Sequence, residues 1–254
     1  MIPLKDYNPT RTTPVITIVL IAACVIIFVF VQPRGRDIDE ARFSYETAAI
    51  PCEVVEARPL TRVEINDTLQ GETEACAGDS RPARESSAVF ADKSVYLAVL
   101  YSMFLHGSWL HLLGNMLFLW TFGNNLEDRG RPTYLVFYLL AGLVATAAHV
   151  AVQPNSTVPL VGASGAIAGI MGAYLVLFPN VLIRSLVFLV FFVTFVDIRA
   201  KWLLAVWFVM QFFTNPSEGV AWVAHVGGFV FGVLAGLIWR AVSPPERQPV
   251  HPAF

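Results

Sequence analysis

Long apolar runs without charge recur along this chain, and they restrict its fold more than any other feature of the sequence. Residues 15–31 form an uncharged run of about 17 residues, and the runs at 134–152 and 220–239 are slightly longer. Hydrophobic residues make up 56% of the 254 residues, and charged residues make up only 14%. This balance is typical of proteins with several membrane spans. We therefore predict an all-α polytopic membrane protein.

Six runs are predicted to be transmembrane helices. Their limits are residues 15–32, 109–122, 134–152, 164–178, 199–213 and 220–239. A cleaved signal peptide is the alternative for the first run, but no small-residue cleavage site follows it. Two further apolar segments, residues 95–105 and 185–196, are too short for a full span, so we interpret them as interfacial or re-entrant pieces.

The basic residues give this bundle an orientation. When the N-terminus is placed in the cytoplasm, the short outer loops at 153–161 and 214–219 contain no Lys or Arg, as the positive-inside rule requires. The resulting division has a cytoplasmic N-terminal segment, a first transmembrane helix, an extracytoplasmic polar loop or mini-domain, a membrane core and a cytoplasmic tail. Their limits are residues 1–14, 15–32, 33–93, 94–240 and 241–254.

The polar stretch at residues 33–93 contains two of the three cysteines, Cys52 and Cys76. In an oxidising compartment they could pair, and the closed loop would then contribute about 3 kcal/mol of stability. The alternative is a solvated, partly disordered insertion. The third cysteine, Cys24, lies in the first apolar run.

Ser164 is the candidate nucleophile. It lies in Gly162-Ala163-Ser164-Gly165, at the start of the short fourth run. That run of about 15 residues is only about 22 Å long as a helix, so its serine end lies below the outer surface. By itself the motif is weak evidence, because serine is also a common helix N-cap.

His225 supplies a base at a similar depth in the sixth run. Small residues recur one turn apart on both helices, at Ser164, Ala168 and Gly172 and at Ala224, Gly228, Gly232 and Gly236. Such faces let helices approach closely, so His225 could reach the Ser164 hydroxyl. His111 and Asn115 share one helical face and could donate hydrogen bonds to an oxyanion. The alternatives are that the small residues serve packing only, and that each histidine makes an interhelical hydrogen bond.

A metal site is a further alternative, because His106, His111 and His225 could converge. The sequence has no His-Glu-x-x-His motif and no carboxylate in the neighbouring apolar runs, which disfavours zinc hydrolysis. The formal net charge of −2 and the lack of a basic stripe argue against a nucleic-acid partner. We therefore expect no metal, no cofactor and no nucleic acid.

Four ordered motifs resemble the signatures of the rhomboid intramembrane serine proteases, in a bacterial type with a six-span core. They are His106-Gly-Ser-Trp-Leu-His111-Leu-Leu-Gly-Asn115, Glu127-Asp-Arg129-Gly130, Gly162-Ala-Ser164-Gly165-Ala-Ile-Ala-Gly169 and Ala224-His225-Val-Gly-Gly228. The sequence departs from the family pattern in lacking a Trp-Arg pair ahead of His106, and its first loop is longer than usual.

The resemblance implies a Ser-His dyad that opens to the extracytoplasmic side, with Ser164 as nucleophile and His225 as base. It also implies that His111 and Asn115 are oxyanion donors. The remaining roles are supporting ones for His106, Gly162 and Gly165, a structural brace of the turn after the second span for Glu127 and Arg129, and helix contact for Gly228 and Gly232.

The expected function is cleavage of transmembrane segments of other membrane proteins near their extracytoplasmic ends. The expected partners are such substrates and the lipid bilayer, and the expected location is a bacterial inner or plasma membrane. The alternative is an inactive rhomboid-like protein that binds and escorts transmembrane clients. A small transporter or channel is disfavoured because the predicted spans carry essentially no paired charges.

Overall fold

The computed structural model of this protein describes residues 1–76, 87–189, 192–214 and 221–243. The predicted outer loop at 214–219 and the predicted tail at 241–254 therefore lie largely outside the described residues. A π-helical turn, Ile27–Val31, continues the first long helix, Val15–Ile26. The described elements, in chain order, are β1 (Ile2–Asp6), α1 (Val15–Ile26), α2 (Asp37–Thr47), α3 (Pro51–Glu56), α4 (Arg62–Leu69), α5 (Val95–Ser102), α6 (Trp109–Asp128), α7 (Arg131–Val152), α8 (Ser164–Leu177), β2 (Leu182–Leu189), β3 (Phe192–Arg199), α9 (Ala200–Gln211) and α10 (Trp222–Val242).

Helix α8 is the centre of the bundle. It contains no charged residue, and nearly all of its side chains are buried. A helix that is apolar on every side is stable only when neighbouring elements cover it all round. Helices α6, α7 and α10 supply most of this cover, and α9 packs beside it. The largest buried side chains around α8 include Phe122 of α6 and Tyr134 and Tyr138 of α7.

Two of the described helices, α7 and α10, are both long enough and apolar enough to cross a membrane, with mean hydropathies of 2.1 and 1.8. Val15–Val31, α8 and α9 are apolar but shorter. Helix α6 is 20 residues long, but its second half carries Glu127 and Asp128. The presence of six membrane spans therefore remains a prediction.

The fold is mostly helical, but the prediction that it is all-α is wrong at one place. The segment between α8 and α9, predicted to be interfacial or re-entrant, is an antiparallel hairpin of β2 and β3. The N-terminal strand β1 pairs with β2 and completes a three-stranded sheet in the order β1-β2-β3. The segment is rich in β-branched and aromatic residues, which favour strands. A short apolar run alone does not distinguish a strand from a helix.

One carboxylate attaches this sheet to the bundle. Asp6, at the end of β1, accepts a hydrogen bond of 2.8 Å from the Tyr174 hydroxyl of α8 and another from the Asn125 amide of α6. Burial raises the pKa of Asp6 to about 6, because removal from water disfavours the charged carboxylate. The sheet is thereby held against the end of α8 opposite Ser164.

Residues 33–93, called here the first-loop unit, contain the three short helices α2, α3 and α4. Tyr45, Ile50, Cys52 and Leu60 form a small separate core, and a Cys52–Cys76 disulfide closes it. Small folded units bury too little apolar surface to be stable by themselves, and a disulfide is a common way to stabilise them. The described part of the unit is thus a folded structure with a covalent staple.

A buried ion pair lies in the same unit. The Lys93 ammonium is 2.5 Å from the Glu53 carboxylate, and both side chains are about 2% exposed. Burial raises the pKa of Glu53 and lowers the pKa of Lys93, because it disfavours both charged forms. Lys93 also donates to the Tyr45 carbonyl, and Glu53 accepts from the Leu60 amide, so the pair links three segments of the unit.

Glu127 and Arg129 connect the end of α6 to other helices. The Glu127 carboxylate accepts from the backbone amides of Ile16 and Thr17, both at 2.8 Å, and so caps the first turn of α1 from α6. A carboxylate at this position also complements the positive end of the helix dipole. Arg129 donates to the Ser243 carbonyl after α10 and lies over the rings of Phe178 and Trp239. Glu127 also lies 3.7 Å from the Arg131 guanidinium across the turn, so the contacts between helices are additional to the predicted brace of the turn.

Candidate active site

Ser164 and His225 meet in the bundle. Ser164 is the first residue of α8, and His225 lies in the first turn of α10. The His225 Nε2 is 2.9 Å from the Ser164 Oγ. This is the distance of a hydrogen bond through which an imidazole accepts a hydroxyl proton.

Small residues bring the two helices together. A methyl carbon built at Gly228 would overlap the Gly165 carbonyl oxygen, and one at Gly232 would overlap the Gly169 carbonyl oxygen. One at Gly236 would be 3.0 Å from the Ala173 Cα. The helix backbones are therefore in direct contact.

The small-residue face of α10 lies where the sequence placed it, but the face of α8 was predicted correctly only at Gly172. The contacting residues of α8 are Gly165, Gly169 and Ala173, one position after the predicted Ser164 and Ala168. The third predicted residue, Gly172, does meet α10, because a methyl carbon built there would overlap the Phe229 carbonyl oxygen. Because α8 is apolar all round, its periodicity did not reveal which side faces α10. The shift leaves the Ser164 side chain beside the contact, where it reaches His225.

His111 lies on the other side of the serine. A methyl carbon built at Gly162 would be 2.8 Å from both Cε1 and Nε2 of His111, and 3.5 Å from the Ser164 Oγ. Gly162 has a φ of +127°, a conformation that other residues rarely adopt. Glycine is thus required here both by the backbone and by the imidazole beside it.

The hydrogen bonds of His111 also select its tautomer. The Gly107 amide donates to the His111 Nδ1 at 3.4 Å, so Nδ1 is the acceptor and Nε2 carries the proton. The Ser108 Oγ accepts from the His111 amide at 3.1 Å, which confirms the predicted N-cap of α6. His111 therefore presents an N–H group next to Ser164.

Further donors lie at the same end of the bundle. Asn115, one turn after His111 on α6, is buried, and its Nδ2 has no acceptor among the described residues. No side chain caps the N-terminus of α8 in this part of the structure. The first amides of α8 therefore remain available, and the helix dipole adds partial positive charge there.

His106 is fully buried behind His111. The two rings pack edge to face with centroids 5.3 Å apart. The Gln32 amide donates to the His106 carbonyl at 2.9 Å and accepts from the His106 amide at 3.0 Å. The end of the first apolar helix thus fixes the loop that leads into α6.

The first-loop unit holds the segment that precedes Ser164. The Ala49 amide donates to the Ser102 Oγ at 2.6 Å, and the Gly162 amide donates to the Ser102 carbonyl at 2.8 Å. The Leu160 amide donates to the Ala49 carbonyl at 2.8 Å. Ser102, at the end of α5, therefore connects the unit to the loop that carries the candidate nucleophile.

A second group of contacts joins the unit to the same loop near the disulfide. The Cys52 amide donates to the Ser156 carbonyl, and the Thr157 amide donates to the Thr73 carbonyl, both at 2.9 Å. The hydroxyls of Thr68 and Thr157 are 2.6 Å apart. The first-loop unit therefore contacts the loop from 153 to 163 at several positions.

Sequence reasoning missed Gln211, the last residue of α9. Its Oε1 is 2.8 Å from the Nδ1 of His225, on the opposite side of the imidazole from Ser164. Gln211 lies near the end of the predicted fifth span and belongs to none of the four motifs. A polar residue on an otherwise apolar helix was the only signal. His149 of α7 is also buried.

Two clefts lie beside the site. One of about 420 Å³ is lined by residues that include Arg34, His106, Trp109 and Val161, and it adjoins the loop ahead of Ser164. The other, of about 200 Å³, lies between α6, α9 and the N-terminal residues Met1 and Pro3, and apolar side chains such as Phe118 and Leu203 line it. Trp207 lines the second cleft and also lies 6.0 Å from the His225 ring, measured between centroids.

Comparison with known proteins decides the family. A model of the Rhomboid domain matches residues 93–242, which is more than half of the chain. The chain belongs to the rhomboid family. The matched residues nearly coincide with the predicted core of residues 94–240, and membership indicates an integral membrane protein.

Three curated relatives are each similar to about three fifths of the chain. Rhomboid protein 1, mitochondrial, of Saccharomyces cerevisiae is 30% identical over 163 residues, which are 60% of this chain and 44% of the relative. Presenilin-associated rhomboid-like protein, mitochondrial, of Bos taurus is 28% identical over 167 residues, with 61% and 42% covered. Presenilin-associated rhomboid-like protein A, mitochondrial, of Danio rerio is 28% identical over 169 residues, which are 61% of this chain and 42% of the relative.

The chain thus spans less than half the length of these relatives. All three are named as mitochondrial proteins, and they give no support to the expectation of a bacterial type in a bacterial membrane. The orientation of the termini and the side on which the site opens remain predictions.

Proposed function

We propose that this protein is an intramembrane serine endopeptidase that cleaves transmembrane segments of other membrane proteins. The observation that carries the proposal is the 2.9 Å contact between the Ser164 Oγ and the His225 Nε2. Membership of the rhomboid family supports it. Polar side chains are costly in an apolar bundle, so a contacting pair of them there favours a functional role.

In this mechanism the Ser164 Oγ attacks the scissile carbonyl carbon while His225 accepts the hydroxyl proton. The oxyanion of the tetrahedral intermediate is stabilised by the Nε2–H of His111, by Asn115 and by the first amides of α8. His225 then protonates the leaving amine, and an acyl-enzyme forms on Ser164. Water hydrolyses the acyl-enzyme, and the serine is released.

The surroundings of the site suggest how a helical substrate is accommodated. The apolar cleft between α6 and α9 extends to Trp207, which lies against His225. Exposed apolar side chains of α9, among them Trp202, Val209 and Met210, flank this region. An apolar substrate segment would find compatible surface there, and the scissile bond would reach Ser164 near the extracytoplasmic end.

Substitution of the two dyad residues tests the proposal. We expect Ser164→Ala and His225→Ala each to abolish cleavage of a helical transmembrane reporter by the purified protein. The matched control is Ser44→Ala, because the Ser44 hydroxyl donates a hydrogen bond to the Glu40 carbonyl within its own helix. Cleavage that persists in Ser164→Ala would exclude the serine-protease mechanism.

A fluorophosphonate probe separates a protease from an inactive client-binding protein. Labelling requires an activated hydroxyl, so we expect the wild type to react and Ser164→Ala to remain unlabelled. A wild type that binds transmembrane clients but neither reacts nor cleaves would support the inactive alternative.

A further inference from the structure

The most informative unassigned contact is the one between His225 and Gln211. The Gln211 Oε1 lies 2.8 Å from the His225 Nδ1, while the Ser164 Oγ lies 2.9 Å from the Nε2 of the same ring. The Gln211 side chain is 8% exposed. Serine, histidine and glutamine thus form one chain of hydrogen bonds across three helices, α8, α10 and α9.

A backbone carbonyl determines how the glutamine amide is oriented. The Gln211 Nε2 donates to the Trp207 carbonyl at 3.0 Å. A carbonyl oxygen only accepts hydrogen bonds, so the group that faces it must be the NH₂ of the amide. The Oε1 therefore faces His225 as an acceptor.

The orientation of the amide in turn determines the histidine tautomer. Because Oε1 has no proton to donate, the hydrogen bond to it requires the proton on the His225 Nδ1. The neutral ring then has its lone pair on Nε2, which faces the Ser164 hydroxyl. This is the tautomer that a general base needs, and the alternative would place an N–H group against the hydroxyl.

We propose that Gln211 is a positioning residue that holds His225 in the tautomer and orientation required to accept the Ser164 proton. The inference rests on the proposed function and extends it from a dyad to a Ser164-His225-Gln211 arrangement. A neutral amide provides orientation without adding a charge to the apolar bundle, where a buried carboxylate is costly.

Three variants of the full chain test this role. Gln211→Met keeps the length of the side chain and removes the acceptor, whereas the carboxyl group of Gln211→Glu, protonated in the apolar bundle, keeps an acceptor for His225 and a donor for the Trp207 carbonyl at the same reach. Thr214→Val is the matched control, because the Thr214 hydroxyl bonds to the Met210 and Gln211 carbonyls and makes no contact with His225.

We expect Gln211→Met to lower kcat on the transmembrane reporter by roughly tenfold to a hundredfold, with KM nearly unchanged. Gln211→Glu should regain at least part of that loss, and Thr214→Val should match the wild type. Equal kcat values for Gln211→Met and the wild type would overturn the inference. Equal losses in the Met and Glu variants would also overturn it, since they would indicate packing alone.

A measurement without turnover separates this inference from the proposed function. In protein labelled with ¹⁵N-histidine, the His225 resonances, assigned by comparison with His225→Ala, should report a proton on Nδ1 in the wild type. That preference should weaken in Gln211→Met. A wild type with the proton on Nε2, or an unchanged tautomer in Gln211→Met, would contradict the inference. The wild type could instead show the expected tautomer but neither cleave the reporter nor react with fluorophosphonate. That result would contradict the proposed function, while the inferred hydrogen bond from His225 to Gln211 would stand.

Discussion

Two regions of the molecule hold Ser164, and they do so by different means. The contact of α8 with α10 fixes the helix that carries the serine, through backbone atoms of Gly165, Gly169, Gly228 and Gly232. The first-loop unit fixes the loop ahead of the serine, through hydrogen bonds and a disulfide. The first region uses almost no polar side chains, and the second depends on them.

The difference follows from the solvent that each region is predicted to meet. Helices surrounded by lipid gain little from burying apolar groups, so close contact between small residues is their main source of affinity. A short segment in water gains from burial, but its core of four residues is too small to fold by itself. A disulfide and satisfied hydrogen bonds supply the stability that this small core lacks.

The largest effect is expected from Gly232→Ala in the helix contact. The added methyl group would overlap the Gly169 carbonyl, so α8 and α10 must move apart and Ser164 must leave His225. A displacement of about 1 Å at a reacting group lowers the rate by roughly a hundredfold. Cleavage assays and thermal unfolding measure the loss. The control is Gly114→Ala, since nothing lies within 4 Å of a methyl group at that position, and equal activity of the two variants would contradict the role of the contact.

A smaller effect is expected from loss of the disulfide. The double variant Cys52→Ser/Cys76→Ser should destabilise the first-loop unit by about 3 kcal/mol while the helices stay assembled. Limited proteolysis should cut within residues 33–93, and cleavage of the reporter should fall several-fold. Reductant should reproduce this result in the wild type and leave the double variant unchanged. Resistance of the double variant to protease would show that the unit does not need its staple.

The smallest effect is expected from Ser102→Ala, which removes the hydroxyl that accepts from the Ala49 amide. A buried amide without an acceptor costs about 1–3 kcal/mol, but the Ser102 carbonyl still accepts from Gly162. The loop should therefore loosen, with a reduction in kcat of a few-fold and little change in thermal stability of the bundle. Thr47→Ala is the control, because the Thr47 hydroxyl bonds to the Phe43 carbonyl within α2. A reduction in kcat no larger in Ser102→Ala than in this control would show that the contact of Ser102 with the first-loop unit does not affect catalysis.

Much of the architecture was predictable because it depends on local composition. The apolar runs located the main helices, and Ser108 located the start of α6. The β2–β3 hairpin was missed because a short run of apolar β-branched and aromatic residues has no distinctive period. Its pairing with β1 also joins segments that lie far apart in the chain.

The candidate site divides in the same way. By itself the sequence determined that Ser164, His225, His111 and Asn115 are polar groups placed in apolar helices, since that is a property of each run. Only the tertiary structure decided that Gly165 and Gly169, one position beyond the predicted face of α8, meet α10, because a helix buried on all sides has no periodicity that marks one face. It also decided that Gln211 faces His225, since that contact exists only after α9 and α10 have docked.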